Sequence, residues 1–206
     1  MPTANTITLW FDLGASSQLV LFMFLTTLAG SAALIQSRQL GVSGRILSTP
    51  TGTRTIVAGE TLGRFGVALV QGLYIMVAIL LIFRVNWGSP LAAIAIVVLF
   101  ALVGAGAATL MGATFRNDQQ AGGIGVVAGL VLAALGGAMM PLELFSPTMQ
   151  QVAHLTPHAW ALDGFAELVR REGTIVDVLP ELGVLAGYAI VLLALAGWRL
   201  QRSLTR

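Results

Sequence analysis

The 206-residue chain has no cysteine and no lysine, and only 10% of its positions carry charge: 11 Arg against nine acidic residues. Each shortage excludes something. Without cysteine there are no disulfides and no thiolate chemistry. Without lysine the 24 glycines cannot belong to a Walker-type phosphate loop, which needs a GK[ST] step, so any nucleotide hydrolysis takes place on another polypeptide. A soluble domain carries about 25% charged residues; here 56% are hydrophobic and the mean hydropathy is +0.87. A soluble chain of this length could not hide so much apolar surface. The pI of about 9.9 does not point to nucleic acid, because the net charge is only +2 and the Arg are scattered. Residues 1–11 carry no positive charge and the first apolar run is too long for a signal h-region, so the start does not read as a cleaved leader.

What the chain does have is long stretches free of charge. Five of them, 13–37, 65–83, 85–115, 119–142 and 182–198, approach or exceed the ~20 apolar residues that cross a ~30 Å hydrocarbon core. They predict an all-α polytopic bundle forming one transmembrane domain, with spans at about 16–36, 63–83, 91–114, 121–141 and 182–199, after a short lead-in at 1–15. Alternate loops place eight Arg on one face (38, 45, 54, 64, 116, 199, 202, 206) and three on the other (84, 170, 171). The positive-inside rule then predicts an outside N-terminus and a cytoplasmic C-terminus in the inner (plasma) membrane. The turn 84–90 carries Trp87, expected at the membrane interface, beside the helix breakers Gly88 and Pro90.

The short loop 115–120 predicts that the third and fourth spans form a tight hairpin. Gly104, Ala108 and Gly112, then Gly125 and Gly129, stand four residues apart. Such small-residue faces let helices approach closely in lipid, within one chain or between protomers. Segment 142–181, just past Pro141, holds Pro147, Pro157 and Trp160 and is too broken to span. Two readings stand for it: a re-entrant or interfacial helix pair at the external mouth, or an ordinary external loop.

No catalytic constellation is visible. His154 and His158 have helical i, i+4 spacing, but no cysteine or HExxH arrangement accompanies them; they read as interfacial polar residues, with no metal site expected. None of the five spans has an ionisable residue near its centre, Gln71 being the main polar group at depth. Ion-driven transporters use such residues as relays, and a channel would want a polar filter. Glu60 and Arg64, one turn apart, are expected to form a local pair at the entry to the second span.

The segment Arg38-Gln39-Leu40-Gly41-Val42-Ser43-Gly44-Arg45-Ile46-Leu47-Ser48-Thr49-Pro50, then Gly59-Glu60, resembles the first cytoplasmic loop of type-2 ABC-exporter permeases, approximately E-R-x-x-G-T-x-x-x-L-x-x-T-P then G-K. Gln36 stands where that pattern has an acid and Glu60 where it has a Lys. The 115–120 turn and the Gly136-Gly137…Pro141…Pro147…Pro157…Trp160 run extend the resemblance over nearly the whole chain. It implies a permease subunit of an ATP-driven exporter, working as a homodimer or paired permease with a cytoplasmic ABC ATPase that binds the ATP and Mg, and with no cofactor on this chain. It implies that segment 37–62 is cytoplasmic and carries a coupling helix, with Arg38, Leu40, Arg45, Ile46 and Leu47 facing the ATPase, and that Pro141, Pro147, Pro157 and Trp160 belong to an external gate. Relative to six-helix permeases, the first helix is expected to be missing here, so the chain is a fragment or another chain supplies that helix. The apolar stripe with Arg edges suits groove docking and equally a membrane surface with anionic lipid.

The expected cargo is hydrophobic or amphipathic, drugs or lipid-like compounds included, with Met23, Phe24, Met139 and Met140 as candidate pathway lining. A non-transporting membrane scaffold is the alternative, and an ion-coupled transporter a further one.

Overall fold

A computed structural model describes residues 4–204. It is all-helical, with no strand among the described residues: α1 (Ala4–Ala29), α2 (Ser31–Gln39), α3 (Val42–Leu47), α4 (Thr53–Phe83), α5 (Pro90–Thr114), α6 (Asp118–Leu135), α7 (Pro147–Ala153), α8 (Pro157–Arg170) and α9 (Leu179–Leu204). Five helical runs are long and apolar enough to cross a bilayer: Asp12–Gln39, Thr53–Phe83, Pro90–Thr114, Asp118–Leu135 and Leu179–Arg202. α1 and α2 together form the first of them, because the break at Gly30 keeps right-handed backbone (φ −62, ψ −11) and Gly30 N–H still donates to the Thr26 carbonyl at 3.0 Å.

The hub is α5. Ser89 in extended backbone and Pro90 at the first turn start it, proline being preset for that position and having no N–H to strand. Its sequence is apolar on every side, as a helix enclosed by others must be, and Ile96, Val97, Phe100, Ala101 and Ala105 are all 1% exposed or less. α4, α9, α8, α1 and α2 pack around it. Small residues set these distances. A Cβ on Gly106 would sit 2.9 Å from Leu192 Cβ and 3.1 Å from Leu193 N, so α5 and α9 meet almost backbone to backbone.

The small-residue ladders face the first span. Cβ atoms on Gly104 and Gly112 would meet Thr27 and Leu34, and those on Gly125 and Gly129 would meet Leu28 and Leu25; Ala108 is fully buried. The α1–α2 run is therefore wedged between α5 and α6. The tight α5–α6 hairpin expected from the short loop does not form, because α6 packs on α1 and α2 in preference to α5. The glycines leave room for another helix where the loop length alone would allow direct contact.

Several boundaries differ from the periodicity. Helix begins by Ala4, so the lead-in is helical. α4 runs without a break from Thr53, about 46 Å at 1.5 Å per residue, and so outreaches the hydrocarbon core. α6 ends at Leu135, not near 141: Gly137 takes φ +88, and at Gly136 a Cβ would lie 2.4 Å from both His158 Cβ and Thr156 Oγ1. The start of α8 occupies the space a continued helix would need. Trp87, in the turn between two spans, is 5% exposed and packed within the protein; its indole donates to the Met76 carbonyl at 3.1 Å and its ring lies 5.7 Å from Phe165.

Gly136→Ala is expected to destabilise the protein by about 1–3 kcal/mol through overpacking. Gly122→Ala, whose Cβ meets nothing within 4 Å, should be neutral or stabilising by up to ~1 kcal/mol. Thermal unfolding in detergent measures both.

Candidate functional site

Two clusters of polar side chains stand out, one at each end of the bundle. The first is built on α2. An α-helix leaves its last four carbonyls without intrahelical partners, and in a membrane protein such groups must be satisfied internally. α5 ends at Thr114, and the Arg38 guanidinium supplies the donors: Nη2 donates to the Gly112 carbonyl and, at 3.0 Å, to the Phe115 carbonyl. A cation there also complements the negative end of the helix dipole. On either side of it, Gln36 Nε2 donates to Asp118 Oδ2 at 2.9 Å and Gln39 Nε2 to the Arg116 carbonyl at 2.9 Å. Three residues of α2 thus grip the α5–α6 turn. Asn117 then starts α6, its Oδ1 accepting from Gln120 N–H at 3.2 Å.

From this clamp the chain continues through Gly41 (φ +70) into the six-residue α3. Leu40 is 71% exposed, Ile46 39%, and Arg45 is exposed with Nη2 donating to the Leu40 carbonyl at 3.3 Å. The side chain of Leu47 lies outside the described residues. Of the residues expected on a docking face, Leu40, Arg45 and Ile46 share this exposed segment, whereas Arg38 is turned inward onto α5. Arg64 Nη1 lies 2.8 Å from Glu60 Oε2 and donates to the Glu60 carbonyl at 2.6 Å.

The second cluster joins α7, α8 and the turn before them. Pro141 precedes a 3-10 turn at Leu142–Leu144, and Pro147 and Pro157 open α7 and α8. Ser146 caps α7, its Oγ accepting from Met149 N–H at 3.3 Å. His154 Nε2 lies 2.7 Å from Asp163 Oδ2, His154 Nδ1 lies 2.7 Å from the Gln150 carbonyl, and the Trp160 indole donates to the His154 carbonyl at 2.8 Å. Burial alone would push the His154 pKa down. The Gln150 carbonyl and the Asp163 carboxylate together outweigh it, and the pKa lies above its ordinary value. Arg170 bonds Glu143 nearby. Met139 and Met140, half-exposed, line a small cavity of about 190 Å³ together with Glu143, Asp163 and Arg170.

Met23 and Phe24 are core residues, 2% and 3% exposed: a Cβ on Gly72 would touch Met23 Sδ, and Phe24 packs tilted against Phe100 at 5.8 Å. The expected pathway set therefore divides between the core and the cavity beside α8. His158, four residues from His154, is not interfacial. It is fully buried, edge-on to Phe24 at 4.6 Å and Phe100 at 5.3 Å, and neither ring nitrogen has a hydrogen-bond partner among the described residues. Buried neutral imidazole among aromatic rings is a packing element here; a charged one would have no counter-ion. Gln36, Gln39, Asp118 and Asp163 are site residues that sequence reasoning passed over; their partners lie on other helices, and only the polar Gln36 at a position where the resembling loop has an acid pointed toward any of them.

Five apolar spans, one of them enclosed at the centre, with polar fastenings at the two ends, define a multi-pass helical membrane protein. Its sequence matches the ABC-2 family transporter protein family over residues 3–198, and the chain belongs to that family, whose members are membrane permeases and not themselves enzymes. It is similar to the linearmycin resistance permease protein LnrN of Bacillus subtilis (strain 168), 27% identical over 175 residues, which is 85% of this chain and 46% of that protein. The chain thus spans about half the length of the curated relative it matches.

Two measurements probe these clusters. Arg38→Met should cost about 2 kcal/mol, the scale of a charged hydrogen bond lost to buried acceptors, and Gln39→Ala less than half of that, by chemical unfolding in detergent. For His154 the folded pKa is raised, so its contribution is full below the unfolded value near ~6.5 and is lost as pH rises through the folded value. The melting temperature should fall over that interval in the parent protein, and Asp163→Asn should flatten the slope.

Proposed function

We propose that this chain is the permease component of an exporter that moves hydrophobic or amphipathic small molecules, drugs among them, out across the inner membrane. ATP with its Mg is hydrolysed on a separate cytoplasmic ABC ATPase subunit, this chain binds no cofactor of its own, and two permeases act together as a homodimer or a pair. The N-terminus faces outward, the α3 loop and C-terminus face the cytoplasm, and α7 and α8 cover the external mouth as the gate. Family membership and a relative named as a resistance permease support the transport reading, and the Arg distribution supports the orientation.

The observation that carries the coupling role is the juxtaposition of Leu40, Ile46 and Arg45 on an exposed segment with the Arg38 clamp at its root. Exposed apolar side chains edged by an arginine suit a groove with an acidic rim. A push on that segment reaches the end of α5 through two charge-assisted hydrogen bonds instead of through a slack loop. α5 contacts most of the bundle, so movement there is movement of the permease.

The test is reconstitution of the permease with an ABC ATPase encoded beside it, following cargo-stimulated ATP hydrolysis and efflux of a fluorescent amphiphile from vesicles. Leu40→Asp combined with Arg45→Glu should cut stimulated hydrolysis and efflux at least tenfold while leaving the melting temperature of the permease unchanged. Unaltered stimulation would remove the coupling assignment. Uptake driven by a proton or sodium gradient without ATP would overturn the ATP-driven reading.

A further inference from the structure

The first half of α4 stands away from α1–α2, and the space between them is a cavity of about 700 Å³, within the size range of small-molecule sites. Gly30 and Ala33 form one wall, Gly59, Gly63 and Val67 the other, and Ile46 and Thr51 from the α3 loop close one end. The glycines on α4 are of two kinds. A Cβ on Gly72 would strike Met23 Sδ at 2.4 Å, so that glycine serves helix packing; Cβ atoms on Gly59 and Gly63 would meet nothing within 4 Å. These two, one turn apart, preserve empty volume instead of a close contact.

The lining is graded. At the deep end the Thr26 hydroxyl bonds the Phe22 carbonyl and Gln71, and the Thr27 hydroxyl bonds the Met23 carbonyl at 2.5 Å. Those hydroxyls are spent on their own surroundings and leave an apolar face. At the other end Arg64 gives Nη1 to Glu60, while its Nε is buried with no acceptor. Glu60, which lines the cleft beside it, accepts only from Nη1, and arginine only donates, so the chemistry that would engage the rest of the guanidinium from the cleft is an acceptor, best an anionic one.

We propose that the cavity binds a single-chain amphiphile, its acyl body between α1–α2 and α4 and its acidic head, carboxylate or phosphate, at Arg64. The occupant sits beside the α3 loop and against the α2 stalk. On the exporter reading this is a loading or regulatory position for amphiphiles at the docking side of the permease; the binding itself does not depend on that reading.

The experiment is photolabelling of the full chain in nanodiscs of zwitterionic phospholipid, without ATPase or ATP. Three diazirine-tagged probes are used: a long-chain fatty acid, a lysophosphatidic acid and a lysophosphatidylcholine. Labelling by either acid should map to 26–33 and 53–67, at least tenfold above the choline probe, and the ratio of the two acids tells a carboxylate ligand from a phosphate one. Gly63→Leu should abolish labelling by filling the cavity, and Arg64→Gln should erase the preference for acids. Gly66→Leu, also with open space at its Cβ but off the cavity, should label as the parent does. Equal labelling of Gly63→Leu and parent, or equal labelling by the choline probe, would overturn the site. So would absence of labelling accompanied by loss of association with another membrane chain in Gly63→Leu, since the cleft would then seat a helix. Failure of ATP-driven efflux with labelling intact would sink the exporter reading and leave this one standing.

Discussion

The structure depends on one polar constraint: the carbonyl end of α5 has to be satisfied from outside its own helix. α5 is enclosed on nearly every side by other helices, so its terminal carbonyls at Gly112 and Phe115 meet Arg38 where a surface helix would meet water. Losing that partner would cost about 2 kcal/mol, the scale of a charged hydrogen bond. Arg38 can reach them only if α2 lies along α5, and α2 can lie there only if Gly104 and Gly112 present no side chains to Thr27 and Leu34. Once α2 is placed, Gln36 and Gln39 fix the α5–α6 turn, and α6 is laid onto the far side of α1 across Gly125 and Gly129. One half-buried guanidinium, with Gln36 and Gln39 beside it, therefore ties the first span to the α5–α6 turn.

The opposite end is held differently. There α8 inserts an apolar face, with Phe165 and Leu168 at 1% exposure or less, against α1, α5 and α9. The hydrogen bonds lie at the margin: Tyr188 to the Leu155 carbonyl at 2.9 Å, Trp160 to His154, and the His154–Asp163 pair. His158 contributes shape and no hydrogen bond. Apolar packing of this kind adapts to small displacements, since it has no donor angle to preserve, whereas a guanidinium bonded to two carbonyls does not slide. Directional bonds therefore hold the bundle where the exposed loop joins it, and mainly apolar packing holds it at the α7–α8 end.

The spans, their number and the all-α class were legible because they follow from local composition: twenty apolar residues without charge have few other fates. The proline breaks at 141, 147 and 157 were legible for the same reason, each proline opening a short element. Partner choice was not legible. Nothing in residues 115–120 says that α6 will turn from α5 to α1; that is decided by Leu25 and Leu28 meeting glycines a hundred residues away. Trp87 reads as interfacial by type and position, yet the Met76 carbonyl and Phe165 bury it. The end of α6 at Leu135 is set by Thr156 and His158 pressing on Gly136, a tertiary fact overriding a good helical sequence.

Arg38 shows how a sequence motif and its physical role can part company. By type, an arginine at the head of an exposed loop looks like a docking charge, and Arg45 nearby does stay exposed. The fold instead turns Arg38 toward the end of α5, where its Nη2 answers two orphan carbonyls. The exposed remainder, Leu40, Arg45 and Ile46, follows directly on a helix fastened to α5. Ile46 also lines the 700 Å³ cavity, so on the two proposals above the docking surface and the amphiphile site would share that side chain. Occupancy of one would be felt by the other through a single side chain, with no long pathway needed between them.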